Sequence, residues 1–263
     1  MASPTPAPSP LTQAMAGPLP WKVAWVTGAS SGIGREIVLQ LAAKGVKVAA
    51  SSRKGWPEPL PANVVSFPLD VTNTAAVDLC IAQIERELGP LDLVVLGAGA
   101  YQPFDLASCD VDEFARINAT NYLGVTNCVV PLLRRMVGRG SGHISWIASV
   151  AGYSGLPKAG YYGPTKAALI NLAESLWHEA RPKGVAISVI NPGFVETPMI
   201  KSNDFPMPFL MKADRAATLT IKGLKRKKFE IAYPLPFVLI LKFLQRLPVS
   251  WRLRLVGIGT GNR

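Results

Sequence analysis

Short apolar runs alternate along the chain with longer stretches whose apolar residues recur at helical spacing. Residues 22–26 read as a strand that runs into a glycine turn, and residues 35–44 have the period of a helix that closes at Gly45. The pattern then predicts strands over 46–50 and 64–68, a helix over 74–88, and strands over 91–96, 142–147 and 185–190, with helical patterns between the later ones. Regular alternation of strand and helix implies a doubly wound parallel sheet with right-handed crossovers, helices on both faces, and ligands at the carboxyl ends of the strands. The expected class is therefore α/β, Rossmann-like, in a single domain over 21–233. No repeat of the solenoid kind is present.

Composition narrows this picture at a few places. A length of 263 residues and a hydrophobic fraction of 49% suffice for one large buried core. Cys80, Cys109 and Cys128 are odd in number and form no C-x-x-C pair, and His143 and His178 are the only histidines, so neither a disulfide framework nor a metal site is predicted. This cysteine usage fits a reducing cytoplasm. Residues 1–20 are rich in Pro, Ala, Ser and Thr without a basic and apolar leader pattern, so they are expected to form a disordered tail, not a secretory signal. No apolar run reaches the roughly 18 residues that a spanning helix needs.

The net charge of +11 is concentrated late in the chain: residues 222–263 carry ten Lys or Arg and one acid, Glu230, leaving +2 for the rest. Residues 234–263 form a basic extension in which apolar segments, such as Pro236 to Leu247 and Trp251 to Val256, are too short and too charged to span a bilayer. A basic, aromatic-bearing helix with an apolar face predicts contact with a membrane surface. Packing of the extension on its own domain or on a partner subunit is the alternative. Nucleic acid is not expected as a partner, because the residues between the charges are mostly aliphatic and no binding motif is present.

Two constellations carry chemistry. Tyr162 and Lys166 lie four apart and so share one helix face, which sets an ammonium beside a phenol. Tyr161 has Thr165 at the same interval, so the pairing selects Tyr162. Pro164 requires the helix to begin there. Upstream, Thr27-Gly28-Ala29-Ser30-Ser31-Gly32-Ile33-Gly34 follows a strand and opens a helix, whose N-terminal amides and dipole would face a pyrophosphate.

The glycine spacing G-x-x-x-G-x-G, Asp70-Val71, Asn121-x-x-Gly124, Ser149-Val150-Ala151-Gly152, Tyr162-x-x-x-Lys166 and Asn191-Pro192-Gly193 occur in the order in which they occur in the short-chain dehydrogenase/reductase family, which the chain resembles from about residue 22 to 198. That resemblance implies a nicotinamide dinucleotide on Gly28, Ser30, Ser31, Gly32, Ile33 and Gly34, with Asp70 and Val71 near the adenine and Gly99 lining the site. It also implies that Tyr162 is the general acid/base, that Lys166 stabilises its phenolate and holds the nicotinamide ribose, and that Ser149 binds the substrate oxygen. Asn121 would anchor a water chain to the lysine, and Pro192, Gly193, Val195 and Thr197 would close on the nicotinamide.

The second strand ends in Ser51-Ser52-Arg53-Lys54, with no acid to repel a 2′-phosphate and with Arg53 able to pair with one, so NADP(H) is the expected cofactor. Residues 198–222 occupy the place of the family's substrate lid, and Phe205, Met207, Phe209, Leu210 and Met211 suit an apolar ketone or alcohol, lipid or steroid-like. A homo-oligomer, dimer or tetramer, is implied by the same resemblance. The chain departs from the family in one place, with Leu96-Gly97-Ala98-Gly99 where Asn-Asn-Ala-Gly is usual, which removes an amide that steadies the sheet centre. The expected activity is NADP(H)-dependent hydride transfer at a carbonyl or secondary alcohol. A non-catalytic NADP-binding protein acting through membrane or partner contact is the alternative.

Overall fold

The computed structural model describes residues 17–56, 59–200, 203 and 205–260. Most of the expected tail, residues 1–16, lies outside the described residues, and Leu19 already packs against the core. Seven parallel strands form one sheet: β1 Val23–Thr27, β2 Lys47–Ser51, β3 Val64–Ser66, β4 Leu93–Leu96, β5 Gly142–Ile147, β6 Val185–Pro192 and β7 Glu230–Tyr233, in the order β3-β2-β1-β4-β5-β6-β7. The strands expected from the sequence are present, with ends displaced by up to two residues. The seventh, β7, was not expected. It is four residues between the basic run at Lys225–Lys228 and Pro234, too short for its period to stand out.

Among the described residues, eight α-helices connect and cover the strands: α1 Gly32–Ala42, α2 Thr74–Leu88, α3 Val111–Asn118, α4 Gly124–Arg139, α5 Gly163–Ala180, α6 Ala213–Lys225, α7 Leu235–Gln245 and α8 Val249–Gly259. A strand buried on both faces needs two apolar sets, and β1 supplies them by alternation. Val23 and Trp25 pack with α2, α4 and α5, whereas Ala24 and Val26 pack with α1 and α6. The local start signals are visible in α2, whose Asn73 cap accepts a hydrogen bond from the Ala76 amide, and in α5, which begins with Pro164 in its first turn as the sequence requires.

The sheet order reverses between β1 and β4, and the crevice at their carboxyl ends is where an open α/β sheet receives a ligand. α7 is fastened to the sheet beside this crevice. Val238 and Leu241 are buried against Val150 and Tyr153. Glu230 in β7 accepts from the Tyr153 hydroxyl, from Asn191 and from the Lys242 ammonium of α7.

Candidate active site

A cleft of about 1080 Å³ opens at the switch point between β1 and β4. Every residue expected to bind cofactor or take part in the chemistry lines it, except Asn121, which is buried behind Ala100. The lid residues Phe205, Met207, Phe209, Leu210 and Met211, expected to receive the substrate, do not line it: Met211 is buried in the core, and Phe209 and Leu210 are exposed. The floor is the glycine turn. Gly28 has φ +68°, and a Cβ there would lie 2.4 Å from the Gly97 carbonyl oxygen; a Cβ on Gly34 would lie 2.4 Å from the Gly28 oxygen. The turn can therefore hold only hydrogen at these positions, which brings its backbone to the surface of the cleft. Ser31, at the N-cap of α1, makes no side-chain capping bond, so the first amides of the helix face the cleft unoccupied by their own cap. A glycine floor closed to side chains and a helix N-terminus open to an anion fit the pyrophosphate of a dinucleotide. Thr197 reaches this floor from the other wall, its methyl group 2.7 Å from where a Cβ on Gly32 would stand.

Residues after β2 and β3 line one end of the cleft. Arg53 and Lys54 are exposed there. Asp70 accepts from the Thr72 amide at 2.9 Å and the Thr72 hydroxyl at 2.7 Å. These two bonds, amide first, together with the charge of Arg53, hold its carboxyl below the usual range against a smaller effect of burial.

The departure after β4 has a structural answer. The Thr27 hydroxyl accepts from the amides of Gly97 at 3.1 Å and Ala98 at 3.2 Å, so the two central strand ends are tied without the missing asparagine. A Cβ at position 97 would come within 2.9 Å of the Thr27 carbonyl oxygen, and glycine permits this approach. Nothing in the sequence pattern marked Thr27 for this role.

At the other end stand the titratable groups. Lys166 is only 3% exposed, its ammonium donates to the Ile147 carbonyl at 2.8 Å, and it lies 5.2 Å from the centre of the Tyr162 ring. Ser149 caps the short 3₁₀ turn Val150–Gly152 by accepting from the Ala151 amide, donates to the Pro192 carbonyl at 3.3 Å, and hydrogen-bonds the Tyr162 phenol. Burial pushes the phenol above its ordinary value, and the Ser149 bond draws it partly back. Burial also pushes Lys166 down to about 7. Both groups thus resist charge in the closed site, the phenol a weaker acid and the lysine a weaker base than the same groups in water.

Asn121 projects from a π-helical turn, Ala119–Leu123, between α3 and α4. Its side chain accepts from the Ala100 amide at 2.7 Å and donates to the Ala100 carbonyl at 3.0 Å and the Thr165 hydroxyl at 3.2 Å. Both amide protons are committed to protein partners, so this side chain positions the loop after β4 and the start of α5. Tyr101, on that loop, was missed by sequence reasoning. Its ring meets Tyr162 edge to face at 5.3 Å and its hydroxyl donates to Asn203 at 2.8 Å. Met199 and Ile200 also line the cleft, as residues of the expected lid. Lys201, Ser202 and Asp204 of that segment lie outside the described residues. Among the described residues, no group of three or more His, Cys, Asp or Glu could hold a metal ion.

The depressed Lys166 makes a testable statement about stability. Below about pH 7 the ammonium is buried at a cost; between there and the ordinary lysine value of 10.5 the folded chain has released a proton that the unfolded chain keeps, so stability rises with pH. Relative to Lys166→Met, which has no such group, the cofactor-free protein should gain on the order of 4 kcal/mol from about pH 6 to about pH 10. Urea unfolding of both proteins across this range measures it, and parallel profiles would contradict it.

Comparison with known proteins agrees with this geometry. The family model described as short chain dehydrogenase matches residues 22–205. An uncharacterized oxidoreductase of Myxococcus xanthus is 37% identical over 223 residues, covering 81% of this chain and 88% of that protein. The 3-oxoacyl-acyl-carrier-protein reductase FabG of Escherichia coli is 36% identical over 186 residues, covering 69% of this chain and 76% of its own length. A solved short-chain dehydrogenase/reductase from Burkholderia phymatum, in complex with NAD, superposes with a TM-score of 0.76 at 24% identity, covering 87% of this chain and 96% of that one. With the parallel sheet, the glycine floor and the Ser149, Tyr162 and Lys166 side chains brought to one cleft, the chain belongs to the short-chain dehydrogenase/reductase family of oxidoreductases.

Proposed function

We propose that the chain is an NADP(H)-dependent oxidoreductase acting on the carbonyl or secondary alcohol of an apolar, lipid or steroid-like substrate. The observation that carries this reading is the meeting of the Tyr162 phenol, the Ser149 hydroxyl and the buried Lys166 ammonium in the cleft whose floor is the glycine turn. The nicotinamide cofactor, when bound, supplies or takes up the hydride. Ser149 donates a hydrogen bond to the substrate oxygen and stabilises its charge as it develops. Tyr162 delivers its proton to that oxygen in reduction and takes it back in oxidation. Lys166 stabilises the phenolate left behind, and Asn121 holds the Ala100 loop against the start of α5.

Because burial raises the Tyr162 phenol, its proton is retained through the neutral range, which favours reduction there and alcohol oxidation at higher pH. Met199 and Ile200, the lid residues that line the cleft, and the similarity to a 3-oxoacyl reductase support a ketone on a long acyl chain as substrate. Cofactor consumption with NADPH and NADH in parallel, against ketones from short-chain to steroidal and long-chain acyl, tests the reading.

Preference for NADP(H) rests on Arg53 at the cleft end, with no acid at the end of β2. Arg53→Ala should weaken NADPH binding roughly tenfold through loss of a charge-assisted phosphate pair, with NADH affected less than about twofold. An unchanged ratio of the two dissociation constants would contradict the assignment. The reading also includes a homo-oligomer, supported by the exposed apolar side chains of Phe114, Leu123, Val130 and Val137. It includes as well a cytoplasmic location with peripheral attachment to a membrane through residues 234–263; among the described residues no helix is long and apolar enough to cross one.

A further inference from the structure

α7 has two apolar stripes. One, with Val238 and Leu241, is buried on the domain; the other, with Leu235, Leu239, Ile240 and Phe243, is 50–63% exposed. On α8, Val249, Trp251, Leu253, Leu255 and Ile258 are exposed as well, with Trp251, Leu255 and Ile258 on one side of the helix. Monomeric surfaces do not usually gather so many large apolar side chains in two consecutive helices. The exposure does not come from loose attachment, because Lys242 is paired with Glu230 and Gln245 donates to the Tyr153 carbonyl.

The charge on this surface has one sign. Residues 234–263 contain five Lys or Arg and no acid, and Arg246 and Arg254 are exposed among the apolar residues. A partner that covers apolar side chains and accepts cations without offering them is anionic lipid. Trp251, 61% exposed, has the amphipathic ring favoured at a membrane interface.

The same surface runs to the cleft. Phe237 of α7 stacks on Phe209 at 5.9 Å and on Phe194 at 5.8 Å, and Phe194 meets Phe205 at 6.1 Å. Phe209 and Leu210, in the lid, are 48% and 44% exposed. Gly193, which lines the cleft, lies beneath the stack, with a Cβ there meeting the Phe237 ring at 3.0 Å. A chain of aromatic contacts thus links α7 to the lid rim and to the cleft wall at Gly193.

We propose that this face, from α8 across α7 to Phe209 and Leu210, docks on an anionic lipid bilayer with the cleft mouth turned toward it, so that the carbonyl substrate enters from the lipid phase. The proposal rests on the oxidoreductase reading for its substrate and on the surface alone for its docking. The full chain should sediment with vesicles of phosphatidylcholine and phosphatidylglycerol, and much less with phosphatidylcholine alone. Phe243→Glu and Trp251→Glu should each lower the bound fraction roughly tenfold or more. They should raise the KM for a long-chain ketone carried in those vesicles by a similar factor, while kcat/KM for a short water-soluble ketone stays within about twofold.

Phe209→Glu reads the orientation. It should weaken sedimentation as well; wild-type binding by this variant, with Trp251→Glu unbound, would overturn the placement of the lid at the bilayer. Failure of the wild-type chain to sediment with anionic vesicles would overturn the docking itself. So would sedimentation velocity showing that the glutamate variants dissociate an oligomer, since the covering partner would then be a second copy. If vesicles bind and no ketone is turned over, the docking stands and the enzymatic reading fails.

Discussion

Tyr162→Phe should lower turnover by about 10²–10⁴-fold while NADPH still binds with nearly its original affinity. The substitution removes one oxygen and leaves the ring that packs edge to face against Tyr101 and lies beneath the Lys166 ammonium, so the wall of the cleft keeps its shape. What is lost is the phenol proton that hydrogen-bonds Ser149 and faces the cleft. Steady-state rates of cofactor oxidation, paired with fluorescence titration of NADPH, separate the two effects. Wild-type turnover by the variant would mean that Tyr162 is a wall residue. Weakened binding in step with the rate would mean that its role lies in holding the cofactor. A non-catalytic NADP-binding protein predicts neither loss, because it has no turnover to lose.

The second large effect belongs to the glycine floor. Gly28→Ala meets two obstacles: a backbone at φ +68°, and a methyl group that would stand 2.4 Å from the Gly97 oxygen and 2.7 Å from the Ala98 nitrogen. The positive φ and the steric overlap each cost roughly 1–3 kcal/mol, and relief requires the ends of β1 and β4 to part. The expected result is destabilisation of about 2–6 kcal/mol and dinucleotide binding weakened beyond tenfold in whatever folds. Gly45→Ala is the internal comparison. Its φ is also positive, at +81°, but no atom lies within 4 Å of the added methyl group, so it should show strain without overlap. Equal destabilisation in the two variants, by urea unfolding, would mean that the close approach of the central strands contributes nothing.

The features that were legible from the chain are those encoded over short spacings. Tyr162 and Lys166 share a helix face by their interval alone, and Pro164 marks where that helix begins. The turn after β1 is legible because only glycine at positions 28 and 34 admits the neighbouring backbone. What was not legible depends on chain segments far apart. Tyr101 faces Tyr162 because Asn121, 21 residues beyond Ala100, draws Ala100 inward. Thr27 substitutes for an absent asparagine by reaching amides 70 and 71 residues on.

The extension shows the same limit in another form. Its sequence is apolar around nearly the whole of α7, so periodicity could not tell which stripe packs and which is left open. The structure buries Val238 and Leu241 because Val150 and Tyr153 follow Ser149 on an adjacent turn. β7, which anchors the extension through Glu230, is held by pairing with β6, a non-local cause that a four-residue run cannot announce.

The most direct test of hydride transfer in this cleft uses NADPH deuterated at the nicotinamide C4 position with a long-chain 3-oxoacyl ketone. Mass spectrometry of the product should find one deuterium on the carbinol carbon, in proportion to cofactor oxidised, with wild type and not with Tyr162→Phe. Tight binding of NADPH with no deuterium transferred to any ketone, from short-chain to steroidal, would contradict the account.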